Sequence, residues 1–180
     1  MIEMNSGNNK PNTEKTPHRM EVVIGSRISE YKISYNPTSK DADLQFLKSM
    51  AHSFQESAYR CQIENALPDG KSNMLGIPMV VNLAFSAELY LKYIITVKGE
   101  PSWGHDLKEL YDNLKPEIQT KIIIAAGYKD SEFRELLEKN KDVFKKWRYL
   151  FEKGEPASSD VGFMDCFVCA LEAFANRLKT

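Results

Sequence analysis

Apolar residues fill most of the stretch between Pro78 and Val97, and its polar positions are confined to one side. At 100° per residue these polar side chains share a single arc: Asn82, Ser86, Glu88, Lys92 and Thr96. A helix with so narrow a polar stripe has to be covered on most sides, so we predict a buried central helix over residues 79–97. Pro78 at the first helical position would open this helix, and Gly99 would close it.

Apolar stripes and turn residues on either side predict further helices. An N-cap is expected at Ser131, and a bend near Asn140. The predicted helices cover residues 41–66, 105–114, 117–126 and 132–153, with a last one after the cap Ser158–Asp160. The fold class is therefore all-α, an antiparallel bundle of five or six helices over residues 40–178.

The N-terminal residues follow a different pattern. Residues 1–20 are rich in Asn, Lys, Pro, Thr and Glu, with almost no apolar positions, and are predicted to be a disordered tail. Short apolar runs around Gly25-Ser26 predict a small β-hairpin over residues 21–35 that would lie against the helices. The domain proper would then span residues 21–180.

Composition narrows the class of protein. With 42% hydrophobic and 27% charged residues and a net charge of -1, the chain is typical of a soluble globular protein. This charge argues against nucleic-acid binding through bulk charge, although a local basic patch could exist. Glu88 and Lys92 near the middle of the only long apolar stretch argue against a membrane span. Three cysteines form no disulfide framework and no signal peptide is visible, so a cytoplasmic protein is predicted.

The sequence contains no convincing motif for a metal site, a cofactor site or a common hydrolase. Cys166 and Cys169 have the spacing of a redox or metal pair, but both lie inside a predicted helix without a second pair or a nearby histidine. Two ordinary cysteines are the better interpretation. No phosphate-loop or dinucleotide fingerprint occurs either, so we predict neither a metal nor a cofactor.

A small polar set remains on otherwise apolar helices. It comprises Glu88, Lys92, His105, Asp106, Arg148, Tyr149 and Glu152. Arg148 could bind a phosphodiester by its charge, and His105 could exchange protons with it. The simpler interpretation is that His105-Asp106 starts a helix and that the other charged residues form ion pairs. Glu88 would pair with Lys92 one helical turn away, and Arg148 with Glu88 or Glu152. The residues alone favour the simpler interpretation.

Three segments that together contain these seven residues resemble a bacterial branch of the HEPN (higher eukaryotes and prokaryotes nucleotide-binding) domain family. They are N-L-A-F-S-A-E-L-Y-L-K-Y-I-I, then G-H-D-L-K-E-L-Y, then F-K-K-W-R-Y-L-F-E. The resemblance covers roughly residues 40–178. It implies a helical bundle that pairs as a homodimer, in a family where many members are ribonucleases of toxin–antitoxin, phage-defence or CRISPR systems.

The chain departs from the nuclease members of that family at one point. They carry an arginine followed, after four to six residues, by a histidine on the same helix, and no arginine here has a histidine at that distance. We therefore commit to no catalytic residue and predict a nucleotide- or single-stranded RNA-binding or regulatory module. One alternative is a metal-independent endoribonuclease in which His105 and Arg148 cooperate. The other is an interaction protein whose partner, encoded nearby, does the chemistry.

Overall fold

The helices of this chain form a bundle, which confirms the predicted all-α class. A computed structural model describes residues 40–62, 65–66, 72–73, 75–149, 152 and 158–178. Its elements are α1 (Lys40–Cys61), β1 (Asn65–Ala66), β2 (Ser72–Asn73), α2 (Gly76–Val97), α3 (Leu107–Asp112), α4 (Pro116–Ala126), α5 (Asp130–Asn140), α6 (Val143–Arg148) and α7 (Val161–Ala175). Residues 44–180 form one compact unit, and of the other unit, 1–43, only the first turn of α1 is described. The predicted tail (1–20) and hairpin (21–35) lie outside the described residues.

The central helix α2 is buried as predicted. Leu83, Leu91, Ile94 and Ile95 are each at most 1% exposed, and α3, α6 and α7 pack against α2. By length and composition α2 could cross a membrane, but 67% of its most apolar window is buried by the rest of the chain. Packing within the bundle therefore accounts for its apolar character.

Both ends of α2 follow from local backbone chemistry. The helix begins at Gly76, so Pro78 occupies its third position and not the first, as the sequence had suggested. Proline is tolerated there because first-turn amides have no acceptor inside the helix. At the other end Gly99 adopts φ +83°, and the amide of Glu100 returns to the carbonyl of Ile95 at 3.2 Å. The predicted glycine stop is thus confirmed.

Two other helix boundaries differ from the prediction. Helix α1 ends at Cys61 and not near Ala66, because Asn65–Ala66 pairs in antiparallel fashion with Ser72–Asn73. Helix α5 begins at Asp130, so Ser131 is not its N-cap. The earlier start places Asp130 in the positive first turn, where its carboxylate accepts from Arg134 Nε at 3.0 Å.

The predicted helix over residues 132–153 is interrupted where a bend was expected. Helix α5 ends at Asn140 and α6 begins at Val143. At the break, the carbonyl of Lys141 accepts from the amide of Leu107 at 2.8 Å, so this backbone group serves a different part of the chain. The buried Asn140 side chain accepts from Ser159 Oγ at 3.0 Å. The break therefore ties the start of α3 to the start of α6.

Candidate functional site

The loop that joins α2 to α3, residues 98–106, positions the candidate site. The Leu107–Lys141 backbone bond fixes its far end against the break between α5 and α6. Asp106 caps α3, and its Oδ1 accepts from the amides of Lys108 at 2.9 Å and Glu109 at 3.0 Å. The residue before this cap is His105. The Leu107–Lys141 bond and the Asp106 cap therefore fix the position of His105 beside α2 and α6.

A buried carboxylate holds two of the predicted site residues together. Glu88 is 1% exposed, and its Oε1 accepts from Lys92 Nζ at 2.8 Å and from His105 Nδ1 at 2.8 Å. The predicted Glu88–Lys92 pair, one turn apart on α2, is confirmed. Among the described residues Glu88 Oε2 has no hydrogen-bond partner although it is buried. Glu88, Lys92 and His105 thus form a hydrogen-bonded group that extends from the buried core to the protein surface.

Aromatic rings extend this group towards α6. The imidazole of His105 lies 6.4 Å from the Phe144 ring, centroid to centroid, at an angle of 29°. The Arg148 guanidinium carbon lies 4.8 Å from the centroid of the same ring and 4.5 Å from that of Tyr149, whose hydroxyl accepts from Arg148 Nη2. Phe144 stacks on Phe85 of α2 at 4.9 Å. His105 and Arg148 therefore both lie against the Phe144 ring.

We call this arrangement the His105–Arg148 cluster, made of Glu88, Lys92, His105, Phe144 and Arg148. Lys92 has its charge countered by Glu88, whereas Arg148 is exposed and meets no carboxylate within 4 Å in the part of the chain that the structure describes. The predicted ion pair of Arg148 with Glu88 or Glu152 is therefore not formed. The physical reason is that Glu88 is already engaged, while α6 ends at Arg148 before it reaches Glu152.

The remaining predicted site residues have different places. Asp106 is occupied in capping α3, as the simpler interpretation had it. Tyr149 is half-buried against Arg148, and Glu152 is exposed beyond the end of α6. The cluster can therefore present a guanidinium and an imidazole held by a carboxylate to a ligand, with the half-buried Tyr149 ring beside them.

A second polar network, between α1, α2 and α7, was missed by the sequence analysis. The buried Gln55 donates to Tyr59 Oη at 3.0 Å and Glu172 Oε2 at 3.1 Å, and accepts from Tyr90 Oη at 3.2 Å. His52 Nδ1 joins it through Glu172 Oε1 at 3.0 Å. The available signal was Gln55 itself, a polar residue on the apolar stripe of α1 between Ala51 and Ala58.

Raised pKa values keep two tyrosines of this network and a neighbouring cysteine in their neutral forms. Burial raises the pKa of Tyr59 and of Tyr90 well above the usual range for tyrosine. Burial also raises the pKa of the Cys169 thiol, whose Sγ lies 3.3 Å from Tyr59 Oη. A hydrogen-bonded network of this kind holds helices in register. We assign it a structural role.

Comparison with protein-family models, curated proteins and solved structures gave no match. Membership of the HEPN family therefore stays a prediction from the sequence motifs. Within the described residues, no group of three or more His, Cys, Asp or Glu side chains is arranged to hold a metal ion. The chemistry of the His105–Arg148 cluster thus has to be argued from its own side chains.

Proposed function

We propose that this chain is a HEPN-like module that binds a nucleotide or single-stranded RNA at the His105–Arg148 cluster. One observation carries the proposal: the exposed Arg148 guanidinium lies on the rings of Phe144 and Tyr149 and has no carboxylate partner among the described residues. Contact with two rings and the bond from Nη2 to the Tyr149 hydroxyl hold the guanidinium in place, while its remaining N–H groups have no partner among the described residues. Such a fork suits the bidentate geometry of a phosphate.

The neighbouring groups support a ligand that has both phosphate and base. His105 is 52% exposed, and Glu88 fixes the imidazole through Nδ1, which leaves Nε2 for a ligand. The half-buried Tyr149 ring offers a face on which a base can stack, and stacking of bases on aromatic rings needs no particular sequence. A nucleotide therefore matches more of the cluster than a simple anion would.

Fluorescence anisotropy with a labelled single-stranded RNA tests the proposal. We expect Arg148→Gln to weaken binding by about tenfold or more, because it removes a charge-assisted contact. The matched control is Arg60→Gln, since Arg60 is another exposed arginine without a carboxylate partner in the described part of the chain. Equal affinities for the parent and both variants would refute the proposed site.

A second candidate function, metal-independent RNA cleavage, is favoured by the Glu88–His105 bond of 2.8 Å. A carboxylate on Nδ1 holds the imidazole so that Nε2 can act as a general base. His105 would accept the proton of a ribose 2′-hydroxyl while that oxygen attacks the adjacent phosphorus. Water would protonate the departing 5′-oxygen, and Arg148 would stabilise the charge on the phosphoryl oxygens.

A cleavage assay in the presence of a chelator separates the two functions. The binding module should retain RNA intact, whereas the ribonuclease would release a 2′,3′-cyclic phosphate end. If the parent cleaves, His105→Ala should abolish cleavage while the protein stays folded, and Glu88→Gln should lower the rate while His105 remains. Cleavage that survives His105→Ala would exclude this chemistry.

The proposal includes the assembly implied by the family resemblance. We expect a cytoplasmic homodimer acting in a toxin–antitoxin or phage-defence setting, with a protein partner encoded nearby. Light scattering coupled to size-exclusion chromatography checks the dimer. A monomer at all concentrations would leave the binding proposal in place and remove the dimer from it.

A further inference from the structure

The loop that carries His105 also carries Trp103, the most exposed large apolar side chain in the described part of the chain. Its side chain is 84% exposed and lines a pocket of about 350 Å³ between the end of α2 and the start of α4. A second pocket of about 500 Å³ shares Lys98, Lys115 and Ile118 with the first and continues towards α7. We call the two together the Trp103 groove, defined by Lys98, Trp103, Lys115, Ile118, Lys121 and Arg177.

The groove is locally basic on a chain whose net charge is -1. Lys98, Lys115, Lys121 and Arg177 face two carboxylates, Glu100 and Glu117, in its lining. Within the described residues none of these four cations lies within 4 Å of a carboxylate. Lysines elsewhere on the surface, such as Lys108 and Lys139, are paired at 2.7 and 2.6 Å. The lining of the groove therefore carries four cations against two carboxylates, a local excess of two positive charges.

The floor between these cations is apolar. Ile95, Leu114 and Ile118 contribute buried side chains to it, and Trp103 stands at its edge with its ring in solvent. Thr96 Oγ1 and Ser102 Oγ lie 3.2 Å apart and hold the loop close to the end of α2. Cations beside an exposed indole and a small apolar floor form the pattern that binds phosphates and stacked bases together.

We infer that the Trp103 groove binds a segment of single-stranded RNA, with a base stacked on Trp103 and the backbone along Lys98, Lys115, Lys121 and Arg177. The inference rests on the proposed function and assigns a path to the strand outside the His105–Arg148 cluster. Only Gly104, at φ +90°, separates Trp103 from His105. A continuous strand can therefore meet both residues in succession.

An acidic peptide is the competing occupant, and the geometry disfavours it. A helical peptide docks through a row of apolar anchors, whereas the groove exposes a single large ring. Pockets of about 350 and 500 Å³ lie in the range of small-molecule sites, which includes a ligand of the size of a nucleotide. The cations lie around both pockets, as a backbone with regularly spaced phosphates requires.

Fluorescence of Trp103 tests the inference directly. Trp147→Phe leaves Trp103 as the sole tryptophan, and since Trp147 Nε1 has no hydrogen-bond partner among the described residues, no such bond is lost. A short oligouridylate should quench this fluorescence, and its binding should weaken as the salt concentration rises. If three or four cations contact phosphates, the slope of log K against log salt concentration should be roughly -2 to -3. Anisotropy of a labelled oligouridylate on the chain with Trp147 intact gives the same affinity independently of that substitution.

Variants of the groove give the decisive comparison. Trp103→Ala should weaken oligouridylate binding by roughly 5- to 150-fold. The double change Lys98→Gln with Lys121→Gln should reduce the salt slope by about 1.4. The control with the same change in net charge, Lys129→Gln at the start of α5 with Lys139→Gln on α5, should leave both quantities unchanged.

The outcomes separate the groove from the proposed function. Oligouridylate binding that falls with Arg148→Gln but not with the groove variants would overturn the groove and keep the cluster. Binding of a mononucleotide without binding of oligouridylate would do the same. Quenching of Trp103 by polyglutamate but not by oligouridylate would make the groove a protein-binding surface and overturn the inference. Absence of any nucleotide or RNA binding would overturn both.

Discussion

The buried Glu88 carboxylate gives a sharp prediction about which member of its ion pair matters more for stability. Lys92→Met keeps the aliphatic stem, which is 20% exposed, but removes the ammonium from a carboxylate that is 1% exposed. That carboxylate then retains only His105, and its Oε2 already lacks a partner among the described residues. Breaking a buried pair from one side costs about 3–5 kcal/mol. We expect Lys92→Met to destabilise the fold by this amount.

The reciprocal change should cost less. Glu88→Met removes the buried charge and leaves Lys92 and His105, whose side chains are 20% and 52% exposed and can be hydrated. Replacing a buried charge by an apolar side chain of similar size is often close to neutral. The predicted order of stability is therefore parent, then Glu88→Met, then Lys92→Met.

Urea unfolding followed by circular dichroism measures this order. With an m-value of about 2 kcal/mol/M, Lys92→Met should lower the midpoint by roughly 1.5–2.5 M. Lys139→Met is the control, because Glu135 and Lys139 have the same order and spacing on an exposed helix face. Its midpoint should match that of the parent. A larger loss in Glu88→Met than in Lys92→Met would refute the argument from desolvation.

Three further predictions concern the core, the N-terminus and the cysteines. Leu91 is fully buried in α2, so Leu91→Ala should lower the free energy of unfolding by about 2–5 kcal/mol; an unchanged urea midpoint would contradict the central place of α2. Deletion of residues 1–20, which carry no apolar stripe, should leave the melting temperature and the oligomeric state unchanged, and a clear drop in either would show that they pack on the domain. Although Cys169 is exposed, partial desolvation raises the pKa of its thiol, so it should react with iodoacetamide at pH 8 more slowly in the folded protein than in urea, as followed by peptide mass spectrometry; equal rates would mean that folding does not raise this pKa.

Local relationships along the helices could be predicted from the sequence. The Glu88–Lys92 pair follows from a spacing of four residues, and the caps at Asp160 and Gly127 follow from residue type. The burial of α2 follows from its narrow polar stripe. Each of these features depends only on residues of one helix and its ends, so the pattern of the chain contains them.

Relationships between distant segments could not be predicted in the same way. His105 reaches Glu88 across 17 residues because the Leu107–Lys141 backbone bond fixes the loop, and no sequence pattern announces that bond. The predicted ion pair of Arg148 was wrong, because the carboxylate nearest to it in sequence, that of Glu152, lies beyond the end of α6. No sequence pattern places the Phe144 ring between His105 and Arg148.

The placement of a ligand at the His105–Arg148 cluster is tested most directly by nuclear magnetic resonance of the two side chains. Long-range ¹⁵N spectra report the imidazole of His105, and the Nε–H signal reports the guanidinium of Arg148; His105→Ala and Arg148→Gln assign them. Addition of single-stranded RNA should shift both signals with one shared saturation curve, while His52, bound to Glu172 in the separate network, should stay in place. RNA that binds by anisotropy while the His105 and Arg148 signals remain unmoved would contradict the account.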